Sequence, residues 1–195
     1  MSNQHPCARC ASVQKTCCQR AEIVVTTGDL ARIAAHTGHA DVAHRTRPTD
    51  PSYLEHDPDD PNWTAYTIAP DGTRRVLKKQ DGVHAGLSGH RGQAGDCAFL
   101  GPAGCALPEE VRPLVCRLYP FMYTERGLDG EADESEGVDE SYCPTHLFFT
   151  AQERRPTDGR PRVTMLTVLK MDPRDAERWR RQLYDELRAD HDAQA

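Results

Sequence analysis

The sequence predicts a small α+β protein, a single domain with a loop-rich cysteine metal centre, short hairpins and a few helices. Apolar residues recur at helical spacing in two long windows, 28–37 and 173–189, and at strand-like spacing in several shorter ones. Glycine and proline number 14 each, so turns punctuate the chain throughout. Eight cysteines fall into two groups, Cys7, Cys10, Cys17 and Cys18 and then Cys97, Cys105, Cys116 and Cys143.

The first cysteine group opens the chain, and Glu22 to Val25 follows as a short extended segment. Thr27 is placed to cap a helix over 28–37, with Asp29 in the first turn and Gly38 as its stop. Leu30, Ile33 and Ala34 form its apolar stripe. Residues 40–62, rich in Pro, Asp and His, read as an irregular connection. Trp63 to Ile68 alternates as a strand, Pro70-Asp71-Gly72 is a turn, and Arg74 to Lys79 is the returning strand of that hairpin. The five glycines between 81 and 96 do not spell a phosphate-binding loop and no apolar helix follows them, so they read as a flexible loop.

Cys97-Ala-Phe-Leu100 and Cys105-Ala-Leu107 form a second small hairpin around Gly101 to Gly104. Pro108-Glu109-Glu110 starts a helix that must bend or end near Pro113, and Cys116 lies just beyond. Residues 129–140, acidic and almost without apolar side chains, read as a solvated loop. Val163 to Val168 has the β-branched character of a strand. Asp172 then caps a last helix, 173–189, with Ala176, Trp179, Leu183 and Leu187 on one face. Residues 1–150 make up the cysteine domain, and 151–195 add a C-terminal strand and helix packed on it.

Among 195 residues the hydrophobic share is 37% and the mean hydropathy −0.71, enough for one thin core. A net charge of −6 argues against a phosphate-backbone binder and against docking on anionic membranes. No run approaches the ~18 apolar residues of a membrane span. The first residues carry neither the basic nor the apolar part of a secretory signal. The expectation is a cytoplasmic protein, where thiols stay reduced and disulfides are rare. Eight cysteines there point to metal.

A Cys-x-x-Cys turn aims two sulfurs at one ion, and zinc takes four such ligands in a tetrahedron. Iron–sulfur clusters likewise take four thiolates, often from loops. All eight cysteines are therefore candidate ligands. Cys17 and Cys18, being neighbours, point apart and could serve different centres. His5 and His146, close to Cys7 and Cys143, are candidate auxiliary ligands, although exposed loop histidines are the commoner case. A tetrathiolate site needs donors for its sulfurs and cations for its charge. Arg9, Arg112 and Arg117 lie within a few residues of cysteines and are the candidates.

The string Arg112-Pro113-Leu114-Val115-Cys116-Arg117-Leu118-Tyr119-Pro120-Phe121, preceded by Cys97-x-Phe-Leu and Cys105-x-Leu, resembles the core of the YkgJ-type cysteine-cluster family. That family is described as zinc- or iron-chelating and is named for an N-terminal Cys-x-x-Cys-x-x-Cys-Cys. The resemblance runs from Cys7 to Cys143, and Thr27-Gly28-Asp29-Leu30-Ala31-Arg32-Ile33 shares in it. The chain departs from the pattern by placing six residues, Ala11 to Thr16, between Cys10 and Cys17, where the family name has two. The resemblance implies a metal-binding protein holding zinc or an iron–sulfur cluster. Similar cysteine patterns in flagellin lysine-N-methylases make an iron–sulfur-dependent methyltransferase a second reading. A zinc-stapled module that binds a protein partner is a third. Residue types alone do not choose among them, since zinc and iron both accept four thiolates.

Overall fold

Extended backbone from Ile23 to Val25 pairs with one edge of the strand Arg74–Leu77, and the strand Ala43–Thr46 pairs with the other. We describe this arrangement from a computed structural model, which covers residues 15–49, 64–80, 95–102, 104–121, 123–128 and 164–194, with Leu54 and Gly159. In chain order the elements are α1 (Cys17–Arg20), α2 (Thr27–Thr37), β1 (Ala43–Thr46), α3 (Thr64–Thr67), β2 (Arg74–Leu77), β3 (Leu100–Gly101) and β4 (Gly104–Cys105). A 3-10 turn at Glu109–Val111, α4 (Leu114–Leu118), α5 (Met165–Leu169) and α6 (Pro173–Asp192) complete them. Helices with short antiparallel pairs make this an α+β protein. No described helix is long and apolar enough to cross a membrane.

Both long helices form as their caps dictate. The cap of α2 is Thr26, one residue earlier than expected. Its hydroxyl accepts the Asp29 N–H while the Asp29 carboxylate accepts the Thr26 N–H, so two orphan donors are satisfied reciprocally. Gly38 ends the helix at φ +74°, a left-handed conformation that favours glycine. Asp172 caps α6 by accepting the Arg174 N–H. The α6 face of Ala176, Trp179, Leu183 and Leu187 is buried, as the i, i+3/i+4 spacing requires.

Other expectations are corrected. The hairpin partner of β2 is β1, in register Ala43↔Leu77, from within the stretch expected to be irregular. Residues 64–67 are a helical turn, not a strand, and the Pro70-Asp71-Gly72 turn leads into β2 from that helix. Residues 165–169 are also helical, with the Thr164 hydroxyl accepting the Thr167 N–H. Strand-like composition is overruled in the first window by packing on α6 and in the second by the Thr164 cap and packing of Leu166 on Phe121. The glycine-rich loop from 81 to 94 and the acidic loop from 129 to 140 lie outside the described residues.

Two apolar clusters share α4 as their wall. One contains Ile23, Val25, Ile33, Val42, Leu77, Phe99 and Leu107, and Val115 and Cys116 of α4 pack against it. The other contains Leu114 and Leu118 of α4 with Trp179, Leu183 and Leu187 of α6. Leu114 and Leu118, four apart, present one face; Cys116 turns toward the other cluster, and Val115 touches both.

A polar cross-link ties these layers. Asp29, fully buried, accepts the Leu114 N–H at the start of α4 (3.0 Å) and one Arg32 guanidinium N–H (2.6 Å). Arg32 also donates to both Glu186 oxygens (2.6 and 3.0 Å), and Thr26 and Gln182 donate to the same carboxylate. A methyl group on Gly28 would stand 2.4 Å from the Glu186 carboxylate, so glycine leaves the room in which that carboxylate meets Thr26 and Arg32.

Asp29→Ala removes half of the capping box, the acceptor for Leu114 and one partner of Arg32. We expect it to cost about 3 kcal/mol in urea unfolding, the scale for breaking a buried pair. Burial opposes ionisation of Glu186, but hydrogen bonds from Arg32, Thr26 and Gln182 outweigh it and hold the carboxyl below its ordinary value. Its folded pKa is thus lower than its unfolded one. Its contribution is present above the unfolded value of ~4.3 and is lost as pH falls through the folded value. A pH series of melting curves should show a shallower acid limb for Glu186→Gln than for the parent chain.

Candidate metal centre

Four separated segments each bring one thiol to the first apolar cluster. Cys18 comes from the one-turn helix α1, whose start is held by the Gln19 side chain accepting the Thr16 N–H (3.0 Å). Cys97 is stitched to it, its N–H donating to the Cys18 carbonyl at 2.7 Å. Cys105 ends the β3–β4 hairpin, directly across from Leu100. Cys116 stands on α4, two residues after the N–H that Asp29 holds. Each of these thiols lies close enough to the other three for their charges to repel: ionising any one disfavours ionising the rest.

The two Cys-Ala-apolar tripeptides do the same local job. The Phe99 N–H donates to the Cys97 sulfur, and the Leu107 N–H donates to the Cys105 sulfur. Each sulfur thus accepts an amide from two residues on, the arrangement that supports a thiolate ligand in a tight turn. The buried Gln80 side chain holds the first turn in place by donating to the Cys97 and Leu100 carbonyls (3.0 and 3.2 Å).

The thiols differ sharply in acidity. Burial pushes Cys97 up to about 12, with repulsion from Cys18 and Cys105 adding to it. Burial raises Cys116 well above its ordinary value and also raises Cys105, against the Leu107 amide and Arg112. Cys18 moves the other way. A hydrogen bond from the Cys17 thiol, with the charges of Lys79 and Arg112, outweighs its burial and lowers it.

Cys17 therefore touches the group through Cys18. Cys7, Cys10, Cys143, His5, His146 and Arg9 lie outside the described residues. Of the two arginines expected to answer the cysteines, Arg112 does: it hydrogen-bonds Cys105 while its Nε–H donates to the Leu107 carbonyl (3.0 Å). Arg117 is directed elsewhere. Its Nε–H donates to the Arg112 carbonyl at 2.8 Å, another N–H reaches the Glu110 carbonyl, and its guanidinium lies 5.8 Å from the Trp179 ring centroid. It braces the turn before α4 rather than facing a sulfur. Sequence reasoning missed Lys79 and Gln80, which carry no local mark; the repeated Cys-Ala-apolar tripeptide was the signal available for the paired N–H···S turns.

Among the described residues, no three His, Cys, Asp or Glu side chains stand in metal-holding geometry. The donor chemistry nevertheless fits a soft metal: clustered thiols, amide donors on two sulfurs, and cations nearby. Protonated thiols do not ligate, and metal binding displaces their protons.

The chain matches the family described as "CxxCxxCC: putative zinc- or iron-chelating domain" over residues 6–144. That is well over half of its length, and the protein belongs to this family. No curated protein and no solved structure matches the chain.

Because the thiolate is the attacking species, thiol acidity predicts an order of alkylation in metal-free protein. Peptide mapping after a short iodoacetamide pulse at pH 8 should show Cys18 labelled well ahead of Cys97 and Cys116. The latter two should label fully only in denaturant.

Proposed function

We propose that this protein chelates zinc or iron through Cys18, Cys97, Cys105 and Cys116 as one tetrathiolate centre. The convergence of these four thiols from four separate segments is the observation that carries the reading. Alone, four neighbouring thiols, three of them made less acidic by burial and by one another, add little to a core that apolar side chains would fill as well. A bound cation changes that balance, since it stabilises all four thiolates at once and cross-links α1, the 97–105 hairpin and α4.

What the protein itself supplies is position and electrostatics. The Phe99 and Leu107 amides aim at two of the sulfurs, Gln80 fixes the turn that carries Cys97, and Asp29 fixes the start of the helix that carries Cys116. Cys17 supports Cys18 as a hydrogen-bond donor. The metal, when bound, supplies the cross-link and the Lewis-acid or redox character of its thiolate-ligated ion. Zinc and an iron–sulfur cluster both accept this donor set, and elemental analysis separates them.

Anaerobically purified protein should carry zinc, or iron with acid-labile sulfide, in stoichiometric amount. Cys116→Ser should lower metal content and stability together. A loss of about 2 kcal/mol corresponds to roughly 4–8 °C in Tm for a chain of this size. Parent protein free of both metals, or a Cys116→Ser protein that keeps its metal and its melting curve, would overturn the proposal.

A further inference from the structure

Two cations stand beside the thiols without a carboxylate of their own among the described residues. Lys79 faces Cys97 directly across an antiparallel bridge. The bridge is held on either side by the Ala98 N–H on the Lys78 carbonyl (3.1 Å) and the Gln80 N–H on the Asp96 carbonyl (2.7 Å). Because the Cys97 N–H in turn binds the Cys18 carbonyl, the backbone holds Lys79 beside the segments that carry both sulfurs. Arg112 comes from the other end of the group, anchored on the Leu107 carbonyl two residues beyond Cys105.

Neighbouring cations are placed differently. Lys78 pairs with Asp41, Arg74 with Glu22, Arg75 with Asp190, and Arg32 with Asp29 and Glu186. Asp29, the acid that acts on Cys116, is thereby answered by Arg32.

We infer that Lys79 and Arg112 are the charge-compensating pair of the thiol centre and set its affinity for metal. This rests on the metal-chelating reading above. Four thiolates around a divalent ion leave a net charge of −2, and one lysine with one arginine returns the site to neutrality. In a half-buried site of low dielectric, that neutrality is worth far more than it is at an exposed surface. The two residues act on the metal through the sulfurs, as positioning and compensating groups.

The test is a competition titration of the full chain with zinc against a chromophoric chelator, at low salt and at 1 M salt. Outer groups around metal ligands typically change affinity ~10–100-fold when removed. Lys79→Met should weaken zinc binding about 10-fold and the Lys79→Met/Arg112→Gln pair about 100-fold. Lys79→Arg, which keeps the charge, should stay within about twofold of the parent. The loss should shrink at 1 M salt, where screening acts over ~3 Å. Lys79→Met protein that binds zinc as tightly as the parent overturns the inference. So does Lys79→Arg protein as weak as Lys79→Met, since packing rather than charge would then be at work. A parent chain that takes up neither zinc nor iron overturns the metal-chelating reading itself, so the two failures are distinguishable.

Discussion

The buried carboxylate of Asp29 is the constraint from which the rest of the architecture follows. It closes the cap of α2, holds the first amide of α4 and pairs with Arg32, which reaches on to Glu186 of α6. A carboxylate stripped of water is costly unless its oxygens are occupied. Here burial still pushes its acidity in the neutral direction, against Arg32 and the Thr26 and Leu114 amides. That cost makes the geometry specific: the partners must all be present, so α2, α4 and α6 can meet in few other ways. The close approach at Gly28 belongs to the same constraint.

Its consequence reaches the thiols. The amide of Leu114 lies two residues before Cys116, so the group that docks α4 on α2 also sets where that sulfur stands. On the other side of α4, Leu114 and Leu118 bury against α6. Arg117 spans the boundary, its head on the carbonyls of the preceding turn and against Trp179. The Arg-Pro-x-x-Cys-Arg string therefore divides its labour. Arg112 faces a sulfur, Pro113 starts the helix, Cys116 faces the centre, and Arg117 braces the frame.

The thiol cluster shows why charge balance matters in a thin core. Burial alone would leave four neutral thiols, each made less acidic by the others. Amide donors, Lys79 and Arg112 work against that, and at Cys18 the hydrogen bond from Cys17 does so most strongly. The site is built so that negative charge, once created on sulfur, meets positive partners already in place.

Local chemistry determined much from sequence alone. Capping residues and apolar spacing marked α2 and α6, and a tight Gly-Pro-Ala-Gly turn between two short extended pieces marked the 97–105 hairpin. The family string located Cys116 and its arginines. These signals are short-range, so a linear reading holds them. The partner of β2, the helical state of 64–67 and 165–169, and the reach of Asp29 from residue 26 to residue 114 depend on contacts distant in sequence. So does the assembly of Cys18, Cys97, Cys105 and Cys116 into one group, and with it the place of Lys79. Which thiols share a neighbourhood is a matter of packing, and no spacing between cysteines could have specified it.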